Sequence, residues 1–381
     1  MDKMIQAAVL LHTDGGGQKV VGAQVEADTA WTAGEAAAEN FEVEGKRITG
    51  TKLSAEAVGA DILRIDLDAN GPDAGTRDMS NVGPDAKATF VEPKLTVMYR
   101  PTGETITTSL EKDDLADRFK TGTYYDEETG IGLNYNLFVP NEYEGTKAYP
   151  LVVFLHDAGT CSYDVRSALL QGNGAVSWAS PEEQEKHPCF VLAPQFPEVI
   201  ANDDFKVTQE ADEVIGLIRH IAGKYRIDTG RIYGTGQSMG TMTLCELMLR
   251  NPGFFAACFL CAGQWNPERM AAAKDEHLWI LISEKDEKAW PIMGACVRKM
   301  EEAGAKVARG GWSATDPIEA QEKAAQKIAQ QDADIYFTWF TGDSVKPPYM
   351  PEFPGVYHIC TWQHTYQIQT IKDWVFRQRK E

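Results

Sequence analysis

The pentapeptide Gly236-Gln237-Ser238-Met239-Gly240 restricts this chain to few folds because of the residues on either side of it. A strand-like run, residues 231–234, precedes it, and a helical pattern, residues 239–249, follows it. Gly-x-Ser-x-Gly between a strand and a helix is typical of a tight elbow that exposes the serine hydroxyl. The two glycines leave room where the strand and the helix approach closely. We therefore interpret Ser238 as a candidate nucleophile rather than as part of an ordinary Gly/Ser turn.

The part of the chain after about residue 121 alternates strand-like and helical runs. The strand-like runs are residues 151–155, 189–193, 231–234, 255–260, 278–282 and 335–340. The helical runs are residues 211–224, 239–249, 290–303, 318–331 and 366–379. This alternation predicts an α/β fold with a mostly parallel sheet covered by helices on both faces. Ligands bind such sheets at the carboxyl ends of the strands, where the serine motif also falls.

The first part of the chain, residues 1–118, shows short strand-like runs without long helical periodicity. They are residues 7–12, 19–25, 41–43, 62–67 and 95–99. Many short strands separated by Gly, Asp, Asn and Pro predict a small all-β sandwich. We interpret it as immunoglobulin-like, although it has no cysteine pair of the antibody type. The predicted division is a β-sandwich domain at 1–118 and a catalytic α/β domain at 119–381.

Composition excludes several classes of function. A net charge of −19 disfavours nucleic-acid binding and anionic membrane surfaces, because both select basic patches. No apolar stretch reaches the length of a membrane span, and the N-terminal run is read as a first strand. All 7 cysteines follow residue 118, several within apolar runs, which predicts buried free thiols and no metal site. These features favour a cytoplasmic protein, or a secreted one if an export signal had been removed.

A nucleophilic serine needs a base, and only three histidines follow Ser238. In enzymes with this elbow the chain order is serine, acid, histidine. His277 precedes the strand-like run 278–282, at the end opposite the catalytic loops, so we expect it on the surface. His358 follows the last strand-like run and precedes the last helical run, where a loop is predicted. We therefore predict His358 as the base, with His364 as its competitor.

The acid that orients the base should follow the strand-like run 278–282. Three carboxylates compete in the segment Ser283-Glu284-Lys285-Asp286-Glu287-Lys288. Asp286 is the preferred candidate, since it stands between this strand and the helical run 290–303, and Glu284 is the alternative. Such an acid holds the imidazole in one tautomer and stabilises the imidazolium while it stays ionised.

An oxyanion hole should complete the site. One donor is expected to be the backbone N–H of Met239, directly after the nucleophile. The other should come from the loop after the apolar run 149–155, where Ala158 is our candidate. His156 in the same loop is interpreted as a structural residue because it precedes the serine in the chain.

The stretch from about Asp126 to the C-terminus resembles a bacterial family of α/β-hydrolase-fold serine esterases, often labelled predicted peptidases. The family is related to polyhydroxybutyrate-depolymerase-like and feruloyl-esterase-like enzymes. The matching residues are Tyr135-Asn136-Leu137-Phe138-Val139-Pro140, Leu155-His156-Asp157-Ala158-Gly159, Tyr225-Arg226-Ile227-Asp228, Gly236-Gln237-Ser238-Met239-Gly240, Ala262-Gly263-Gln264-Trp265, Glu284-Lys285-Asp286, and His358 with Trp362 and Tyr366. Two departures are Asp157, where members usually carry Gly, and a gap of four residues rather than three between His358 and Trp362. Some similar esterases carry an immunoglobulin-like domain in front.

These patterns predict a serine carboxylic-ester hydrolase that forms an acyl-enzyme and acts on short-chain or carbohydrate-linked esters, without a metal or organic cofactor. A serine peptidase is one alternative, and an inactive hydrolase-like binding protein is another. Candidate substrate contacts are Gln237, Gln264 and Trp265. Further aromatic candidates for the pocket are Trp290, Trp312 and Trp362. The expected partner is a small-molecule ester, with no nucleic acid or membrane; homo-oligomerisation stays open.

Overall fold

The chain forms two units. A computed structural model describes residues 3–53, 61–71, 73–80 and 86–380. The first unit comprises Met1–Ser80 and Thr89–Arg118, and the second comprises Asn81–Ala88 and Phe119–Glu381. The second unit thus includes a short segment from the N-terminal part of the sequence, which the strand and helix patterns do not indicate.

The first unit is all-β in its described residues, apart from two short 3-10 helices at Ala38–Asn40 and Ala116–Arg118. Its strands are β1 (Met4–Asp14), β2 (Gly17–Ala27), β3 (Phe41–Val43), β4 (Ile48–Leu53), β5 (Ile62–Leu67), β6 (Thr96–Tyr99), β7 (Glu104–Thr107) and β8 (Leu110–Asp113). They form sheets of order β4-β5-β2-β1-β8 and β3-β6-β7. Val9, Leu63 and Val97 belong to one shared core. The all-β prediction is confirmed, whereas the immunoglobulin-like assignment stays a prediction.

All five predicted runs of the first unit lie within or overlap strands, and three strands were not predicted. β7 and β8 are mostly polar and partly exposed, so they lack an apolar face that would reveal their period. β4 contains Gly50 and buries no residue fully, which weakens its strand signal in the same way.

The second unit is built on a nine-stranded sheet of order β16-β17-β15-β14-β13-β11-β12-β10-β9. Its strands are β9 (Phe119–Tyr125), β10 (Gly132–Phe138), β11 (Tyr149–Leu155), β12 (Phe190–Gln195), β13 (Ile227–Gln237), β14 (Ala257–Cys261), β15 (Leu278–Ser283), β16 (Val307–Trp312) and β17 (Ile335–Phe340). Pairing is parallel from β12 to β16 and antiparallel at β10. The predicted mostly parallel sheet is confirmed.

Helices connect and cover these strands. They are α1 (Ser167–Leu170), α2 (Asn173–Val176), α3 (Pro181–Lys186), α4 (Gln209–Lys224), α5 (Met239–Arg250), α6 (Pro267–Met270), α7 (Ala289–Glu302), α8 (Ile318–Ala329), α9 (Val356–Thr365) and α10 (Gln369–Arg377). Ile218 of α4, Leu244 of α5 and Val297 of α7 share a buried cluster with Leu151 and Ile280 of the sheet. The strands are buried almost throughout, as parallel strands covered by helices must be.

The predicted helix 366–379 corresponds to α10, whereas the loop predicted around His358 is wrong. The structure has two helices, α9 and α10, with Tyr366 and an extended Ile368 between them. His358 therefore lies in the first turn of α9 and not on a loop. The first residues of α9 are mostly β-branched or aromatic and favour helix weakly, so the sequence pattern does not reveal this helix.

Candidate active site

Ser238 sits on a sharp turn between β13 and α5. Its backbone has φ +50° and ψ −115°, a conformation that L-residues rarely adopt. A Cβ on Gly236 would lie 2.9 Å from the Leu155 carbonyl oxygen, and a Cβ on Gly240 would overlap the same carbonyl. The predicted elbow is confirmed, since only glycine at these two positions lets the helix approach the sheet so closely.

The elbow is held by hydrogen bonds to the neighbouring strand. The Ser238 N–H donates to the Cys261 carbonyl at 3.0 Å. The Thr241 hydroxyl lies 2.8 Å from both the Gly236 and the Cys261 carbonyl oxygens. These contacts tie the turn to the end of β14, so the rare backbone angles of Ser238 are imposed by its surroundings.

His358 and Asp286 form a hydrogen-bonded chain with Ser238. The Ser238 hydroxyl donates to His358 Nε2 at 2.8 Å, and the His358 Nδ1–H donates to Asp286 Oδ2 at 2.6 Å. This arrangement defines one neutral tautomer of His358, with Nε2 free to accept the serine proton. The three side chains come from the carboxyl end of β13, the turn after β15 and the first turn of α9.

Asp286 has two tasks in its turn. Its other oxygen, Oδ1, accepts the backbone N–H groups of Lys288 at 3.1 Å and Ala289 at 2.8 Å. Asp286 thus caps the start of α7, where the helix dipole favours a negative charge. Its side chain is buried, and these contacts provide the hydrogen-bond partners that a buried carboxyl group needs. The alternative acid, Glu284, instead accepts the Gly342 N–H at 2.6 Å and does not contact His358.

The remaining histidines near the site are engaged elsewhere. His364, the competitor for the role of base, has its Nε2 3.1 Å from the Val345 carbonyl, and burial lowers its pKa. His277 precedes β15 at the opposite end of the strand, near Asp334. His156 is fully buried, where its Nδ1–H donates to the Asp157 carbonyl at 2.7 Å and its Nε2 accepts the Phe196 N–H at 3.0 Å.

The two candidate oxyanion donors lie on the same cavity as Ser238. Met239 is the first residue of α5, and Ala158 is the first residue of the 3-10 helix Ala158–Thr160. The N–H groups at the beginning of a helical segment have no acceptor within that segment. Both are therefore available to an oxygen atom bound beside Ser238.

The departures from the family pattern have structural explanations. The carboxylate of Asp157 accepts hydrogen bonds from Thr160 Oγ1 at 2.9 Å and Gln237 Nε2 at 3.0 Å, which compensate its burial. Trp362 stands four residues after His358 because both lie on α9, where this spacing puts them on one face. Their rings meet edge to face with centroids 5.3 Å apart.

A cavity of about 460 Å³ opens beside Ser238. Residues of the second unit line it: Ala158, Val199, Ala201, Asn202, Asp203, Ser238, Met239, Met242, Gln264, Asp286, Glu287, Lys288, Pro354, Gly355 and His358. One wall comes from residues 199–203, in the connection between β12 and α4. The volume suits a small organic group rather than an extended polymer segment.

The structure brings one of the three predicted substrate contacts to the cavity. Gln264 lines it, only 3% exposed, and its Oε1 has no hydrogen-bond partner among the described residues. Gln237 instead points to Gln171 and Asp157 below the elbow. Trp265 is fully buried, and its indole N–H donates to Glu246 at 3.0 Å. Neither Gln237 nor Trp265 lines the cavity, and the Gln237 Nε2 and Trp265 indole N–H groups both donate within the core.

The other predicted aromatic residues pack within the protein. Trp290 stacks on Phe337 with ring centroids 5.3 Å apart, and Trp312 meets Phe340 edge to face at 5.8 Å. Neither residue lines the cavity, while Trp362 reaches the site only through the ring of His358.

Sequence reasoning missed two charged residues of the cavity, Asp203 and Lys288. Their side chains form an ion pair at 2.6 Å, and Asp203 also accepts the Gln264 amide N–H at 2.9 Å. Lys288 could have been suspected because it stands two residues after Asp286. Asp203 lies in a connection without periodicity, so no sequence signal marks it.

Within the described residues, no cluster of three or more His, Cys, Asp or Glu side chains could hold a metal ion. The same part of the chain contains no helix that is both long and apolar enough to cross a membrane. All 7 cysteines are buried and unpaired, and burial raises the pKa of thiols such as Cys261 to about 12.

Sheet order, elbow and cavity together define a protein of the α/β-hydrolase fold. In particular, the chain is similar to a thermostable esterase of known structure, with 25% identity, a TM-score of 0.80, and coverage of 98% of this chain and 99% of that chain. A ferulic acid esterase matches at 13% identity, a TM-score of 0.44, and coverage of 68% and 98%. The poly(3-hydroxybutyrate) depolymerase LpqC from Bordetella parapertussis matches at 17% identity, a TM-score of 0.41, and coverage of 67% and 92%. No family model and no curated protein sequence matches the chain.

Proposed function

We propose that this protein is a serine carboxylic-ester hydrolase that acts through an acyl-enzyme. The observation that carries the proposal is the chain of contacts from Ser238 Oγ to His358 Nε2, at 2.8 Å, and from His358 Nδ1 to Asp286, at 2.6 Å, at the edge of a cavity. Likeness to a thermostable esterase over almost the whole of both chains supports the same reaction.

In this proposal Ser238 Oγ attacks the ester carbonyl carbon while its proton passes to His358 Nε2. The carbonyl oxygen becomes an oxyanion and accepts the N–H groups of Met239 and Ala158. Each such donor contributes about 3 kcal/mol to stabilisation of the transition state. Collapse of the tetrahedral intermediate breaks the bond to the alcohol, which leaves with the proton from His358.

Water then completes the cycle. His358 takes a proton from the water, whose oxygen attacks the acyl carbon to form a second tetrahedral intermediate. As that intermediate collapses, the bond from the acyl carbon to Ser238 Oγ breaks, His358 returns the proton to Oγ, and the acid leaves. Asp286 stays ionised throughout and stabilises the imidazolium form of His358 in both steps. No step needs a metal or an organic cofactor.

The cavity supports a short-chain or carbohydrate-linked ester as the substrate. Its volume of about 460 Å³ lies near the lower end of common ligand pockets. Val199, Met239 and Met242 offer apolar surface for a small acyl group, and the unpaired Gln264 Oε1 offers an acceptor for a hydroxyl group. We further propose that residues 1–118, apart from the segment 81–88, form a separate β-sandwich domain and that residues 119–381 form the catalytic domain.

The test is covalent labelling combined with a substrate panel. A serine-directed organophosphate should modify Ser238 once per chain and abolish hydrolysis of p-nitrophenyl acetate, whereas Ser238→Ala should be neither labelled nor active. Ser180→Ala, at the cap of α3, is the matched control and should behave like the unchanged protein. Faster turnover of a peptide than of any ester would favour a peptidase, and labelling without turnover of any substrate would contradict the proposal.

A further inference from the structure

A short hairpin forms one wall of the cavity. Residues 199–208, here called the wall segment, connect β12 to α4. Ala201 and Val207 pair as an antiparallel bridge, and the Thr208 N–H donates to the Ile200 carbonyl at 2.9 Å. Val199, Ala201 and the two residues that follow line the cavity. The tip is held by a hydrogen bond within the segment, from the Asn202 N–H to the Lys206 carbonyl at 3.0 Å, and by the Phe205 ring, which meets the buried Trp265 edge to face at 5.7 Å. On its cavity side, the tip has further contacts through a carboxylate.

Asp203 makes those contacts from the tip. Its Oδ1 accepts the Gln264 amide N–H at 2.9 Å, and its Oδ2 pairs with the Lys288 ammonium at 2.6 Å. Gln264 follows β14, and Lys288 follows the neighbouring strand β15. One carboxylate thus joins the tip of the wall segment to the loops after two adjacent strands.

The same contacts reach the reacting groups. The backbone N–H of Lys288 donates to Asp286 at 3.1 Å, so the lysine that holds Asp203 belongs to the turn of the proposed triad acid. At the base of the wall segment, the Ile200 N–H lies 3.4 Å from the sulfur of Met239. The base of the segment is therefore packed on the elbow, and Asp203 joins the cavity side of its tip to the turn of the proposed triad acid.

The two contacts of Asp203 differ in strength. Asp203 and Lys288 are each more than half exposed, so water and salt screen their ion pair, and such pairs change an equilibrium by no more than about fivefold. Gln264 is buried, and without Asp203 its amide N–H would lose an ionised acceptor. Hydrogen bonds to charged groups are the stronger kind, so the Gln264 contact should contribute more.

We propose that Asp203 is the specificity-determining residue of this cavity. By holding the wall segment against Gln264 and Lys288 it limits the cavity to short acyl groups. The inference rests on the proposed ester hydrolysis. Without Asp203 the cavity side of the tip loses its contacts to Gln264 and Lys288 while Phe205 still packs on Trp265, so this side can open. Each additional methylene that then finds apolar surface favours the longer ester by about fourfold.

The experiment compares kcat/KM for p-nitrophenyl acetate, butyrate and octanoate in the unchanged protein, Asp203→Ala and Asp204→Ala. Asp203→Ala should raise the octanoate-to-acetate ratio by about fivefold or more. The change should lie mainly in KM, and kcat for acetate should stay within about twofold because the reacting groups are untouched. Asp204→Ala removes the same charge from the next residue, which is exposed and whose carboxylate makes no ion pair in the described part of the chain. It should leave the ratio unchanged.

Two milder variants distinguish the effect of the Lys288 ion pair from that of the Gln264 hydrogen bond. Asp203→Asn keeps an acceptor for Gln264 but loses the ion pair, as does Lys288→Met, so both should raise the ratio less than Asp203→Ala. The double variant Asp203→Asn/Lys288→Met should give the same octanoate-to-acetate ratio as either single variant, because both substitutions remove the same ion pair. A high salt concentration should move the unchanged protein toward the Asp203→Asn result.

The outcomes distinguish this inference from the proposed function. Equal ratios in Asp203→Ala and Asp204→Ala would overturn the inference while ester hydrolysis stands. A uniform loss of kcat for all three esters in Asp203→Ala would also overturn it, since that is the signature of a purely structural role. No hydrolysis of any ester by the unchanged protein would overturn the proposed function, and this inference with it.

Discussion

Ser238 holds a backbone conformation that costs about 1–3 kcal/mol for a residue with a side chain. The structure offsets this cost locally, because Thr241 and the Cys261 carbonyl bond to the turn and two glycines remove the clash with Leu155. The result is a hydroxyl that points at His358 instead of packing against the helix. The strain therefore serves to present one oxygen atom.

At the level of single residues, the two histidines of α9 give a direct prediction. His358→Ala should reduce kcat for p-nitrophenyl butyrate by about 10⁴-fold or more, nearly as much as Ser238→Ala, because serine and base act as a unit. His364→Ala is the matched control on the same helix, and its kcat should stay within about threefold, since its ring lies against the Val345 carbonyl and Phe340. If His364→Ala were inactive and His358→Ala active, the base would be His364 and the assignment of His358 would be wrong.

The meeting of Ser238, His358 and Asp286 could be predicted because each follows a strand whose apolar run is plain in the sequence. Their exact surroundings could not. Asp286 differs from Glu284 in capping α7, which depends on where that helix begins. Trp265 appeared suitable for a pocket, yet its indole N–H is satisfied by a buried Glu246 that lies 19 residues away in the chain. Such pairings depend on tertiary packing.

Elements are joined by a buried charge network as well as by apolar packing. Lys372 of α10 lies 3.4 Å from Glu183 of α3, and both are almost fully buried. Glu183 also accepts the Nδ1–H of His187 at 2.8 Å. Burial lowers the pKa of Lys372, opposed by the charge of Glu183. Burial alone would raise the pKa of Glu183, but the hydrogen bond from His187 and the charge of Lys372 lower it overall.

Removing one charge should cost more stability than removing both. Glu183→Gln leaves the Lys372 ammonium buried without a counter-charge and should lower the free energy of unfolding by about 3 kcal/mol. The double variant Glu183→Gln/Lys372→Met should recover most of that loss. Urea unfolding at neutral pH measures both, and a double variant no more stable than Glu183→Gln would contradict the network.

The same network predicts a dependence on pH. Because the pKa of Glu183 is lowered in the folded state, its contribution is present above its ordinary pKa of 4.5 and disappears as the pH falls through the lowered value. The unchanged protein should therefore lose stability on acidification by more than the double variant does. Unfolding curves repeated through this acidic range would reveal the difference.

In the whole molecule, the second unit includes residues 81–88 besides its C-terminal part. The Ala88 N–H donates to the Cys161 carbonyl at 2.9 Å, and Ser162 Oγ donates to the Ala88 carbonyl at 2.8 Å. Lys87 reaches the Pro197 carbonyl and the Glu198 carboxylate at 2.6 Å and 2.5 Å. A domain boundary at residue 118 therefore separates Lys87 and Ala88 from the residues of the second unit that they contact. The sequence could not reveal this because the segment has no periodic pattern.

Deletion of residues 1–118 should leave a chain that still hydrolyses p-nitrophenyl acetate, because the proposed catalytic groups all follow residue 118. Its melting temperature should fall by several degrees, since residues 86–88 no longer bond to Cys161 and Ser162 (about 1 kcal/mol for each lost hydrogen bond). Lys87→Ala in the full chain is the control, because it keeps both backbone contacts of Ala88 and removes the side-chain contacts to Pro197 and Glu198. Its melting temperature should fall less than that of the truncation. A folded, soluble truncation without activity toward any small ester would show that the first part contributes to catalysis.

The distribution of the three reacting side chains along the chain bears on the order of events during synthesis. Ser238 and His358 are 120 positions apart in the chain, and His358 lies on α9. A ribosome makes the chain from its N-terminus, so the elbow can fold while the imidazole has not yet been translated. A nascent or prematurely terminated polypeptide that lacks α9 thus carries the serine without its base. Under the proposed mechanism, hydrolysis therefore requires that translation has passed α9.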